Sequence, residues 1–106
     1  MTDNEKIALV KTLSGESDTD TVSAFIALAG DTVINRMYEA WTELPEGATV
    51  PARYERLQCT LAARYLDRRG AEGEKTHNEN GISRTWASPD DADVLARVTP
   101  LVEVPQ

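Results

Sequence analysis

A catalytic nucleophile with its base, or a zinc ion with its ligands, would have to be built from one histidine, His77, and one cysteine, Cys59. Zinc takes about four nitrogen, sulfur or oxygen ligands, so this pair alone makes no site of the usual kind. A Cys59–His77 catalytic pair needs a long-range contact, and the plainer reading is a cysteine buried in a helix and a histidine at the surface. The carboxylates of Asp90-Asp91-Ala92-Asp93 could hold a cation; they also suit the first turn of a helix, where the dipole favours anions. The guanidinium groups of Arg53, Arg56, Arg64 and Arg68 could meet DNA phosphates, the acids of another chain, or water. Trp41 and Trp86 suit anchoring a core or an interface better than stacking on bases. No phosphate loop, nucleophile elbow or dinucleotide fingerprint is present. The chain therefore offers no coherent catalytic set, no metal site and no cofactor site, and it reads as a non-enzyme.

The elements that must position these groups belong to one domain of 106 residues, long enough for one modest core. The composition, 41% hydrophobic and 27% charged, is ordinary for a soluble globular protein. No apolar run approaches ~18 residues, so no membrane span is expected. The acidic start, Met1-Thr2-Asp3-Asn4-Glu5, does not read as a signal peptide. A lone cysteine excludes an intramolecular disulfide and fits a reducing compartment. The net charge of −7 argues against a general nucleic-acid binder, which needs a basic face. The charge is unevenly placed: residues 1–50 carry net −6, residues 51–70 net +3 and residues 71–106 net −4. A basic segment between acidic flanks suits pairing within the chain, or packing of identical subunits with acid meeting base.

Four helices are expected, at about 3–14, 18–41, 51–69 and 89–98. In the first, Ile7, Val10 and Leu13 recur every three residues and Gly15 stops it. In the second, Ser17 is the expected cap and Asp18 and Asp20 stand in the first turn. Val22, Phe25, Ile26, Ala29, Val33, Ile34, Met37 and Trp41 then form one apolar stripe. Gly30 within it marks a kink or a close helix crossing, or divides the stretch into two shorter helices. Leu44-Pro45-Glu46-Gly47 is turn chemistry, and Pro51 opens the third helix. That helix carries Tyr54, Leu57, Leu61, Tyr65 and Leu66 on one side, with Arg53, Arg56, Arg64 and Arg68 largely off the stripe, and ends at Gly70. Ser88-Pro89-Asp90-Asp91 starts the last helix, which Pro100 terminates. Leu101 to Val104 reads as an extended tail.

Asn80-Gly81 is a strong hairpin signal, since both residues tolerate the positive φ of a type I′ turn. Ile82, Arg84 and Trp86 alternate with Ser83 and Thr85 after it, while residues 74–79 carry no aliphatic side chain. A hairpin over about 74–86 with one bare polar arm needs support from its own domain or from another chain. It reads either as a surface turn or as an assembly contact. The expected fold is thus mainly α: a small bundle of about four helices with a protruding β-hairpin and an extended C-terminal tail.

The string Arg69-Gly70-Ala71-Glu72-Gly73-Glu74, followed by Glu79-Asn80-Gly81-Ile82-Ser83-Arg84-Thr85, resembles the head–tail connector (adaptor) proteins of tailed bacteriophages. Two further features match: the break Leu13-Ser14-Gly15-Glu16-Ser17-Asp18 between helices, and the helix opening Pro51-Ala52-Arg53-Tyr54-Glu55-Arg56-Leu57-Gln58. The resemblance covers about residues 5–104; the hairpin string is its most specific part and the tail after Leu101 its least. It implies a mainly helical, non-catalytic subunit of the virion, made in the host cytoplasm and placed at the head–tail interface. Its implied partners are the portal protein, a head-completion, stopper or tail protein, and further copies of itself in a ring. Genomic DNA would pass through the channel without sequence-specific binding; no cofactor and no membrane are implied.

In such a ring unlike surfaces of neighbouring subunits meet. The residues expected at the subunit interface are Ile82, Arg84 and Trp86 of the hairpin, with Arg53, Arg56, Arg64 and Arg68 pairing with acids of an adjacent chain. Leu101, Val102 and Val104 are expected to reach the portal or the next ring. A different class of function, a small antitoxin-like helical module binding a host protein or DNA, would show neither ring nor portal affinity.

Overall fold

Thr2 begins the first helix by a reciprocal capping box. Its hydroxyl accepts the Glu5 N–H at 3.1 Å and the Glu5 carboxylate accepts the Thr2 N–H at 2.8 Å, so two otherwise orphaned donors are satisfied. A computed structural model describes residues 1–71 and 91–101. Helix α1 spans Asp3–Ser14 and α2 spans Thr19–Met37. A 3₁₀ turn, Ala52–Tyr54, runs into α3, Glu55–Ala71, and a short α4 spans Ala92–Leu95. The architecture is mainly helical, and among the described residues there is no strand. The hairpin expected at 74–86 and the tail beyond Leu101 lie outside the described residues.

Gly15 ends α1 in the left-handed conformation, φ +81°, its N–H donating to Lys11 O at 2.8 Å. The helix packs through buried Val10, with Ile7 and Leu9 partly covered. Leu13, expected on the same face, is 53% exposed. Its angle on the helix matches that face, so the difference is axial: among the described residues no element covers Leu13 in the last turn before Gly15. The cap of α2 is Asp18, not Ser17. The Asp18 carboxylate accepts both the N–H (2.9 Å) and the hydroxyl (2.6 Å) of Thr21, and an ionised acceptor outcompetes a serine hydroxyl.

Helix α2 runs unbroken through Gly30. A Cβ at that position would lie 2.8 Å from Gln58 Nε2, so the glycine marks a close helix crossing, with no kink. The helix ends at Met37, four residues before the expected Trp41. For α2 to reach Trp41, its N–H would have to donate to Met37 O, and that oxygen instead accepts the Leu101 N–H at 2.7 Å. Trp41 N–H turns to Tyr38 O at 2.9 Å.

Helix α3 continues past the expected stop at Gly70. Gly70 stays within the helix, which runs to Ala71, and one glycine in a helix is a tolerable cost of about 1 kcal/mol. The last helix, expected over 89–98, is the single turn Ala92–Leu95. After it the chain tightens into i→i−3 bonds, Arg97 N–H to Val94 O and Val98 N–H to Leu95 O, both 3.0 Å.

The core lies where α1 and the 91–101 segment pack on the α2–α3 pair. Val10, Val22, Ala29, Val33, Leu61, Tyr65 and Val98 are fully buried. Among the described residues, no helix is long and apolar enough to cross a membrane.

Candidate assembly surface and its arginine clasp

Arg64 and Arg68 are four residues apart on α3, one turn, and so project from the same side of the helix. Both reach the chain where it re-enters at Asp91. The Asp91 carboxylate is fully buried and accepts Arg68 Nη2 at 2.9 Å and Nη1 at 3.2 Å, with Arg64 Nη1 at 3.4 Å. The exposed Asp93 carboxylate takes Arg64 in a fork, at 2.9 and 3.1 Å. The Arg68 guanidinium also lies 5.1 Å from the Tyr65 ring centroid. Deleting one partner of a buried pair leaves an uncompensated charge, at a typical cost of about 3–5 kcal/mol. The Arg68–Asp91 pair therefore fixes where residue 91 sits on α3.

Hydrogen bonds from Arg64 hold the Asp93 carboxyl below the usual carboxylate range, and Asp93 in turn pushes the Arg64 guanidinium up. Asp91 stands at the N-cap of α4 but makes no side-chain cap bond. The acidic start of this helix thus serves the arginines of α3 first, where a dipole role was expected. Asp91 and Asp93 are neutralised by guanidinium groups, not poised around a cation; Asp90 lies outside the described residues.

Two more side chains fasten the 91–101 segment. Arg36 Nε, in the last turn of α2, donates to Leu95 O at 3.2 Å, which also accepts the Val98 N–H, and to Val98 O at 3.3 Å. Its Nη1 meets Glu39 at 3.0 Å. The Tyr54 hydroxyl accepts the Thr99 N–H at 3.0 Å, and this bond holds the phenol below its ordinary pKa. Trp41 Nε1 donates to Leu101 O at 3.1 Å while its ring meets Tyr38 edge to face at 4.9 Å. Trp41 is thus an anchor of the chain's own C-terminal segment. Leu101, expected at an outside contact, is half-buried, with its N–H engaged by Met37 at the end of α2 and its carbonyl by Trp41.

Arg53 and Arg56 differ from the other two arginines. Both are exposed, and neither has an acidic partner among the described residues. Arg53 lies 4.7 Å from the Tyr54 ring centroid. Arg56 is about 12 Å along α3 from Arg64. The four arginines therefore form two groups, one closing the chain on itself and one facing outward. Sequence reasoning placed all four on one footing and passed over Arg36, Gln58 and the Tyr54 hydroxyl. None of the three had a legible signal: Arg36 stands in the last turn only because α2 ends at Met37 and not at the expected Trp41.

Cys59 is fully buried, and burial pushes its thiol up, away from the thiolate a nucleophile needs. His77, Ile82, Arg84, Trp86, Val102 and Val104 lie outside the described residues.

The family model described as "Phage gp6-like head-tail connector protein" matches residues 7–101. No curated protein and no solved structure matches the chain. The match includes every element described above except the first turn of α1, and the chain belongs to the phage gp6-like head–tail connector family. It is thus a phage structural connector, placed by its family at the junction of head and tail.

Proposed function

We propose that the protein is an adaptor subunit that closes into a ring beneath the phage portal, joins the DNA-filled head to the stopper or tail, and extends the DNA channel. Membership of the connector family over residues 7–101 carries this reading. The outward arginines support it: Arg53 and Arg56 leave a cationic turn at the start of α3, on a chain whose first 50 residues carry net −6. A subunit with unlike charged surfaces can pair head to tail and close by rotation. In this reading Arg53 and Arg56 meet acids of the neighbour, and Ile82, Arg84 and Trp86 contact that neighbour through the proposed 74–86 hairpin. Arg64 and Arg68 act at that interface through the acids they already hold. Leu101 is held by the chain itself, and Val102 and Val104 beyond it meet the portal or the next ring. All 106 residues act as one connector domain.

The test is genetic. Removing the gene from its phage or prophage should leave heads and free tails that do not join, and supplying the protein in trans should restore joined particles. Intact, infectious particles without the protein would overturn the reading.

A further inference from the structure

The last described residue of α3 is Ala71 and the chain is next described at Asp91, so 19 residues lie between them. A stretch of that length can span up to about 60 Å. Its two ends are nevertheless held together, because Arg68, at the end of α3, binds Asp91 at 2.9 Å, and Arg64 binds Asp93 at 2.9 Å. Residues 91–101 then return along α3 and α2, from Arg68 at one end to Met37 and Trp41 at the other.

We infer that Arg64, Arg68, Asp91 and Asp93 form a clasp that fixes the exit and return points of the intervening chain, and that assembly with further copies requires the clasp to be closed. The four are positioning residues: they act through the place they give the chain on either side. The inner pair, with Asp91 fully buried, is shielded from salt, whereas the outer pair, Arg64 at 36% and Asp93 at 65% exposure, is open to it. The outer pair is therefore the adjustable half of the clasp. The assembly part of this inference rests on the proposed connector role.

Spin labels at the exposed positions Asp67→Cys and Ala92→Cys read the clasp itself. Light scattering of the full chain with purified portal rings reads assembly. Asp93→Arg places like charges together at the outer pair and leaves the Arg68–Asp91 pair intact; Asp93→Glu keeps the opposite pair. Asp93→Arg should broaden the 67–92 distance and raise the concentration for half-assembly at least tenfold. Its melting temperature should move by no more than about 5 °C, and Asp93→Glu should keep both readouts near wild type. Should Asp93→Arg fail to fold, Asp93→Asn makes the same comparison with a smaller change. A distance that stays narrow in Asp93→Arg would overturn the clasp. A broadened distance with unchanged assembly would overturn its role in assembly. Wild-type chains with a narrow distance that never assemble, even on portal rings, would instead overturn the connector reading on which that role depends.

Discussion

Gln58 is a buried amide shared among three helices: its Nε2 donates to Ile26 O of α2 at 3.0 Å and its Oε1 accepts Lys6 Nζ of α1 at 2.8 Å. Gly30 leaves the space for it. In an open helix, Gly30→Ala would add about 1 kcal/mol of stability. Here the methyl would push the amide off at least one of its two partners, and the net effect should be a loss of about 1–2 kcal/mol in urea unfolding. A Gly30→Ala variant at least as stable as wild type would contradict the crossing geometry. The glycine was visible in the sequence as an interruption of an apolar stripe. Its partner was not, because a lone buried glutamine 28 residues away follows no periodicity. Leu13 shows the opposite limit, since period fixes the angle of a side chain on its helix and says nothing of whether a neighbour reaches that turn.

Helix interiors were legible for a physical reason: α2 and α3 bury apolar residues at spacings of three and four, and that period is dictated by 3.6 residues per turn. Their ends were less so. The cap moved from Ser17 to Asp18, α2 stopped at Met37 because Leu101 takes its carbonyl, and α4 shortened to one turn. Each of these depends on a partner outside the helix's own periodic pattern. Arg36 is the clearest case, and Arg36→Ala should remove one hydrogen bond each from the carbonyls of Leu95, still held by the Val98 N–H, and Val98. The expected cost is about 1–3 kcal/mol, with faster amide exchange confined to residues 92–101; exchange unchanged there would contradict the fastening. A second prediction concerns pH. Asp18, Glu55 and Asp93 all have carboxyls held below their ordinary range, by Thr21, the Met1 amine and Arg64 respectively. The unfolded chain therefore binds protons first on acidification. The stability these groups contribute is full above about pH 4 and is lost as pH falls through their folded values. Melting temperature should drop below about pH 4, and Asp93→Asn should shrink that drop. A melting temperature flat from pH 7 to pH 3 would contradict the assignment.

For the whole molecule, the charge segments read from the sequence divide once the fold is known. The +3 segment at 51–70 commits Arg64 and Arg68 to Asp91 and Asp93 and keeps Arg53 and Arg56 exposed. A general nucleic-acid surface is thereby reduced: Arg53 and Arg56 are left as a cationic pair at the start of α3, and Arg69, 5.7 Å from the Phe25 ring centroid, stands apart from them at its other end. Arg53→Glu/Arg56→Glu should weaken self-association at least tenfold at ~0.1 M salt while leaving the melting temperature near wild type, because both side chains are outside the core. Equal assembly of the reversed protein would remove these residues from the interface. The connector family was recognisable in the sequence chiefly from the 69–85 string, and the helical core that supports it was recognisable from its periods. The Arg68–Asp91 pair was not, because the burial of Asp91 is a property of the folded chain.

Light scattering on a size-exclusion column, with and without purified cognate portal rings, reads ring closure and portal docking together. A closed oligomer, alone or formed on the portal, that co-elutes with it is expected. A chain that stays monomeric and elutes apart from the portal at every concentration would contradict it.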